Sequence, residues 1–222
     1  MQKAVVLLSG GLDSATCLYW AKARGYKPFA LSVEYGQRHK REMDSARALA
    51  RAAGARWVSL SLPLPWLFST SLVNRSLPIP DVPLKKIGAG PIPSTYVPGR
   101  NTIFLSLALS WADAEGAEAL VVGANALDSS GYPDCRPGYL KAFERAARLG
   151  SRSGSEGRDL KVLSPLVSLD KAGIVRWALR LKVPIEKTWS CYRGGRRPCG
   201  RCDSCKLRAK GFSGMGVRDP LL

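Results

Sequence analysis

No stretch of this 222-residue chain approaches the roughly 18 consecutive apolar residues that a membrane-crossing helix requires. Its opening, MQKAVVLLSGG, has one basic residue and a short apolar run that enters a glycine-rich turn, so it reads as a first strand and not as a signal peptide. Acidic residues are scarce: 17 Asp and Glu face 34 Lys and Arg, a net charge of +17. Such a surface attracts nucleic acid, nucleotides or acidic metabolites, although an Arg- and Ala-rich composition gives the same sign with no partner. Histidine is confined to His39. There is no internal repeat, no G-x-x-x-x-G-K-[ST] loop and no G-x-G-x-x-G loop. With 45% hydrophobic and 23% charged residues, the composition excludes a disordered chain, a collagen-like chain and a small disulfide scaffold. The length suits one domain of moderate size.

Largely apolar segments at residues 3–9, 28–35, 119–124 and 160–164, with the alternating segment 56–62, predict five strands. Helical patterns fall between them, at 13–24, 40–53, 102–115 and 139–149, with a last helix capped by Ser168 and running to Leu181. Gly25 and Gly54 are stop signals. Residues 125–138 read as a loop, and residues 150–157 (GSRSGSEG) as a flexible surface loop. Residues 63–98 hold eight of the fifteen prolines and no periodic signal, as a functional insertion or a lid would. Alternating strands and helices predict an α/β fold, a doubly wound, mainly parallel five-stranded sheet. Ligands of such sheets bind at the carboxyl ends of the strands, here the loops after strands one, two and four. Residues 1–188 would form this domain, and 189–222 a metal-binding extension packed on it.

The segment Ser9-Gly10-Gly11-Leu12-Asp13-Ser14 follows the first strand and opens the first helix. Its glycines permit a tight turn and close approach of backbone N–H groups to an anion at the helix N-terminus. Ser9 and Ser14 add hydroxyl donors. Asp13 suits either a divalent cation or a helix N-cap. Near the other end, Cys191, Cys199, Cys202 and Cys205 lie within fifteen residues, and short C-x2-C spacings let two thiolates reach one ion. Four thiolates fill a tetrahedral zinc sphere, which makes the site structural; an iron–sulfur cluster or free thiols are the alternatives. No secretory signal is visible, so a reducing cytoplasm favours ligation over disulfides.

The first loop resembles the SGGxDS pyrophosphate loop of the ATP pyrophosphatase (PP-loop) superfamily. Four further segments make the resemblance specific: Tyr35-Gly36-Gln37-Arg38-His39, residues 96–101 (YVPGRN), residues 130–136 (SGYPDCR), and residues 188–192 (TWSCY) leading into 198–208 (PCGRCDSCKLR). Their order and spacing, from Lys3 to Phe212, are similar to the 7-cyano-7-deazaguanine synthase family. The resemblance implies an adenine nucleotide alpha-hydrolase-like fold and a ligase that turns 7-carboxy-7-deazaguanine and ammonia into a nitrile for queuosine biosynthesis. It implies ATP, with Mg²⁺, on Leu8, Ser9, Gly10, Gly11, Leu12, Asp13 and Ser14, and one structural zinc on the four cysteines. Asp13, Lys171 and Arg100 are the catalytic candidates, the two cations either contacting phosphate or standing as solvated charges. Tyr35, Gln37, His39, Asn101, Asp128, Tyr132 and Asp134 are the substrate-binding candidates, against loop capping for the acids and core packing for the tyrosines. Cys135 reads as a loop thiol or a nucleophile. A homodimer, a cytoplasmic setting, no membrane and no direct nucleic-acid partner are expected. The rival readings are a PP-loop enzyme acting on tRNA itself and a non-enzymatic zinc-knuckle module. Ser129, Gly138 and Gly173 depart from the family pattern.

Overall fold

The structure, a computed structural model, describes the backbone of residues 1–222 and all side chains but those of Ser129 and Ser130. The departure noted at Ser129 therefore lies outside the described side chains. The five predicted strands form β1 (Lys3–Leu7), β2 (Lys27–Glu34), β3 (Arg56–Ser61), β4 (Ala119–Val121) and β5 (Lys161–Leu163). They build one sheet in the order β3-β2-β1-β4-β5, with every pairing parallel. Parallel neighbours require crossovers, which helices supply: α1 (Leu12–Ala23), α2 (Arg41–Ala53), α3 (Arg100–Glu115), α4 (Ala126–Gly131), α5 (Pro137–Leu149) and α6 (Arg152–Ser155); α7 (Lys171–Arg180) and α8 (Asp203–Ser213) follow the last strand.

Both faces of the sheet are covered, as a parallel sheet demands. Ala4 and Val6 of β1 pack with Leu18, Leu49, Ile174 and Phe212 of α1, α2, α7 and α8. Val5, on the opposite face of the same strand, packs with Ala108, Ala112 and Ala147 of α3 and α5. The chain moves outward from β1 through β2 to β3, then returns to the other side of β1 at β4. The switch in strand order thus lies between β1 and β4, where their carboxyl ends open a crevice. Among the described residues no helix is long and apolar enough to cross a membrane.

Four local expectations are corrected. Residues 125–138 carry α4, because the Asn125 side chain accepts from the N–H groups of Leu127 and Asp128 and starts a helical turn. Residues 150–157 carry α6 in place of a flexible loop: Ser151 caps it, and Asp113 accepts from the N–H groups of Arg152 and Ser153. The cap of α7 is Asp170 and not Ser168; its Oδ1 accepts from Gly173 N at 2.8 Å. Residues 203–213, with no helix expected, form α8, which packs along α7.

The proline-rich insertion holds two short 3-10 turns, at Leu67–Ser69 and Leu84–Lys86. The Arg38 guanidinium fastens it by donating to the carbonyls of Ser71, Asn74 and Leu77. Leu64, Leu67, Leu72, Ile79 and Val97 share one apolar cluster with Cys191, Cys202 and Cys205.

Candidate functional site

Two glycines bring backbone together at the switch point. Gly10 has φ +90°, and a Cβ there would lie 2.2 Å from the Glu42 carbonyl oxygen and 2.9 Å from Ala46 N. The loop after β1 is therefore seated directly on the first turns of α2. Gly123, just past β4, approaches the start of α1, where a Cβ would stand 3.3 Å from Ser14 N. Gly10→Ala combines a left-handed backbone with a backbone collision, so α2 or the loop must shift. We expect that variant to lose about 2 kcal/mol or more in chemical denaturation.

Above this junction lies a cavity of about 290 Å³. Leu8, Ser9, Gly11, Leu12, Asp13 and Ser14 line it from the loop, and Tyr35, Gln37, His39, Arg100, Asn101, Asp128, Tyr132 and Lys171 line it from the remaining elements. Of the candidate residues, Gly10 and Asp134 stand outside the lining. Gly10 faces α2, and the buried Asp134 carboxylate accepts from Asn101 N at 3.0 Å, bracing the start of α3.

Lys171 and Asp13 come from opposite ends of the sequence to form an ion pair of 2.6 Å, each about one-fifth exposed. Burial pulls the Lys171 ammonium down, but Asp13 and Asp128 outweigh it and leave its pKa above the ordinary lysine value. Asn125 joins the two acids: its Nδ2 donates to Asp13 Oδ2 at 2.8 Å and to Asp128 Oδ2 at 2.6 Å. Burial pushes the Asp128 carboxyl up to about 6, Lys171 opposing and Asp13 reinforcing. Arg100 opens α3 beside Tyr35; burial works against its charge, yet Tyr35 raises it above its ordinary value.

The aromatic candidates are already engaged. Tyr35 packs on Phe104 at 5.7 Å, and Tyr132 stacks on Tyr96 at 5.9 Å while its hydroxyl meets Thr95 Oγ1 at 3.1 Å. Gln37 Oε1 accepts from Tyr35 N, closing the turn after β2. The His39 ring lies edge-on to Trp189, and its Nδ1 is buried with no hydrogen-bond partner among the described residues. Burial, with Asp128 and Asp134 nearby, pushes Cys135 up to about 12, so it is a neutral thiol, accepting from Asn101 Nδ2 at 3.0 Å. Gly138 is open to space, and Gly173 serves the α7 cap.

Several contributors escaped sequence reasoning. Asn125 and Glu42 bear on the cavity, and so do Trp189, Ser190 and Tyr192 of the strap around Cys191. Trp189 N donates to Gly10 O at 2.8 Å, tying the strap to the diglycine loop after β1. The strap is held in turn by Arg208, whose guanidinium donates to Thr188 Oγ1 at 2.7 Å and pairs in bidentate fashion with the buried Asp219. The one available signal was the T-W-S-C segment itself, which the resemblance had marked without a role.

The sulfur atoms of Cys191, Cys199, Cys202 and Cys205 all lie within 4.8 Å of one another, with Cys199 Sγ and Cys205 Sγ 3.9 Å apart. A tetrahedron with Zn–S bonds of about 2.3 Å has sulfur–sulfur edges of about 3.8 Å, so the donor set fits one zinc ion. Four thiolates complete its coordination and leave no position for water, so the metal is structural. Cys199 N donates to Cys191 Sγ, and Arg201 N and Cys202 N donate to Cys199 Sγ, N–H donors that stabilise an anionic sulfur centre.

The architecture defines an α/β protein with a diglycine loop at the switch of a parallel sheet. Two solved structures share it. An NMN synthetase from Francisella tularensis aligns at a TM-score of 0.51 and 18% identity, over 98% of this chain and 73% of its own. A 4-thiouridine synthetase in an RNA complex with bound ATP aligns at 0.50 and 17%, over 97% of this chain and 50% of its own. The particular family follows from sequence: the family model described as queuosine biosynthesis protein QueC matches residues 3–216, and the chain belongs to that family. It is 49% identical over 221 residues to the 7-cyano-7-deazaguanine synthase of Thermosynechococcus vestitus, covering 99% of this chain and 95% of the relative. It is 52% identical over 225 residues to that of Anaeromyxobacter dehalogenans, covering 99% and 94%.

Proposed function

We propose that the chain is an ATP-dependent carbon–nitrogen ligase that converts 7-carboxy-7-deazaguanine and ammonia to 7-cyano-7-deazaguanine in queuosine biosynthesis. The observation that carries this reading is the near-half identity, end to end, with relatives that bear that enzyme's name.

A carboxylate is a poor electrophile, because attack must expel oxide. Adenylation turns one oxygen into part of a good leaving group, and ammonia then gives the amide. The amide oxygen is activated by a second ATP, and loss of AMP leaves the nitrile. One cavity serves both halves, since a C–O bond is activated each time. In this reading the loop from Leu8 to Ser14 cradles the β,γ-pyrophosphate with N–H groups and hydroxyls. Lys171, held by Asp13, and Arg100, held beside Tyr35, stabilise charge developing at the α-phosphate. Mg²⁺ would be held by Asp13 and would neutralise phosphate charge. Tyr132, His39, Asn101 and Asp128 bound the space left for the deazapurine.

The reading extends to ammonia as nitrogen donor, a homodimer, a cytoplasmic setting in which reduced thiols hold zinc, and residues 189–222 as an extension of the domain formed by 1–188. Mass analysis after incubation with ATP, ammonium and the free carboxylate tests it. The expected result is the nitrile, with two AMP and two pyrophosphate formed for each. Product that appears only when tRNA is supplied would overturn it in favour of a tRNA-modifying enzyme.

A further inference from the structure

Every hydrogen that ammonia brings must depart. Amide formation removes one N–H proton, and conversion of amide to nitrile removes two. A site that performs both halves therefore needs a proton acceptor that faces the cavity and is not already engaged. Three carboxylates line the cavity: Asp13, Glu42 and Asp128. Asp13 accepts from Lys171 and Asn125, and Asp128 accepts from Asn125. Glu42, in the first turn of α2, is half-buried, and no described residue donates a hydrogen bond to its carboxylate or forms an ion pair with it. Its backbone is the surface on which Gly10 rests, so it stands beside the phosphate loop. The buried Nδ1 of His39 is closed off and offers no rival acceptor there.

We propose that Glu42 is the general base that takes the N–H protons in both nitrogen steps, an inference that rests on the ligase reading above. In the first step the ammonia lone pair forms a bond to the acyl carbon. The carbon–oxygen bond to the adenylate breaks, its electron pair leaves on AMP, and Glu42 takes one proton from the cationic nitrogen. In the second, the amide oxygen attacks the α-phosphorus of ATP and pyrophosphate leaves. Glu42 removes one proton from the resulting nitrogen cation. It removes the other as the carbon–oxygen bond breaks, AMP departs and the third carbon–nitrogen bond forms. Both oxygens of the starting carboxylate leave on AMP, and Glu42 returns each proton to solvent between steps. Burial raises its carboxyl, with Arg100 opposing and Cys191 reinforcing, toward the range suited to taking and releasing protons near neutrality.

The test separates adenylation from the nitrogen steps in the zinc-loaded full chain. Glu42→Gln keeps the shape and removes the base. Carboxylate-dependent exchange of labelled pyrophosphate into ATP should persist within about threefold, while nitrile formation falls roughly 10²- to 10³-fold. AMP released per nitrile should rise well above two, because the waiting adenylate hydrolyses. Hydroxylamine, whose adduct nitrogen is more acidic, should still be acylated at close to the wild-type rate. A parallel fall in exchange and nitrile, or an unchanged nitrile rate, overturns the proposal. Should Glu42→Gln fail to fold, Glu42→Asp, which keeps the base one methylene short, must lower nitrile formation more than exchange, and an equal loss overturns it. Wild-type protein that shows no carboxylate-dependent exchange overturns the ligase reading, and this inference with it.

Discussion

Asp13→Ala should abolish AMP formation, with a loss of 10³-fold or more, while the protein still folds. The expectation follows from what Asp13 holds. Its Oδ2 receives both the Lys171 ammonium at 2.6 Å and Asn125 Nδ2 at 2.8 Å. Removing it releases the lysine from its aim into the cavity, frees the bridge to Asp128 and takes away the carboxylate that the proposed reading assigns to Mg²⁺. A single preorganised donor to a developing oxyanion is commonly worth 10²- to 10³-fold, and this substitution disturbs a donor and its anchor together. Lys171→Met should give a similar loss in turnover, because the cation itself is gone. The pair is about one-fifth exposed, so the stability cost stays below about 3 kcal/mol, under the range of fully buried pairs. Product analysis alongside thermal melting checks this. Activity within tenfold of wild type in Asp13→Ala would dismiss the loop as the phosphate site.

Stripping the metal should have the second large effect, and on two observables together. Cys191, Cys202 and Cys205 are almost wholly buried, so without an ion the cluster confines thiols in the core that joins the knuckle to the proline-rich insertion. The hydrogen bonds that Cys202 and Cys205 thiols donate to Cys191 lower its pKa below the usual thiol range, which favours the thiolate a metal binds. The rest of the sheet keeps its core, so the cost is smaller than the roughly 10–16 kcal/mol of a zinc-finger peptide. A loss of about 4 kcal/mol would lower Tm by roughly 10 °C in a chain of this size. Nucleotide affinity should fall in parallel, because the strap that begins the knuckle carries Trp189, whose N–H holds the Gly10 carbonyl. Calorimetry on chelated protein, with zinc added back, and Cys202→Ser as a second route, measures both. Unchanged melting in metal-free protein would remove zinc from the structure.

Much of the framework was open to inspection of the chain. The buried strands announced themselves as unbroken apolar runs, because a parallel sheet covered on both faces tolerates little else. Gly54, at φ +69°, ends α2 where a left-handed residue is required. Helix α8 was hidden for a local reason: its turns carry a zinc-ligand cysteine and Gly211, so its apolar face does not repeat cleanly. Gly211 is there because a Cβ would lie 2.8 Å from the Lys171 carbonyl oxygen, a demand made by α7 and invisible along the chain.

The sequence by itself determined the strand–helix alternation, the loop at Ser9–Ser14 and the four-cysteine cluster, since each depends on residues close together in the chain. Only the tertiary structure decided that Lys171 pairs with Asp13, 158 residues away, that Asn125 bridges two acids, and that Asp134 braces a helix outside the cavity lining. It also decided that Glu42 faces the cavity beside the diglycine loop with no hydrogen bond or ion pair to its carboxylate among the described residues. These are facts of position, set by how the sheet's switch point and the metal-bound strap bring distant segments to one crevice. No local propensity encodes that convergence.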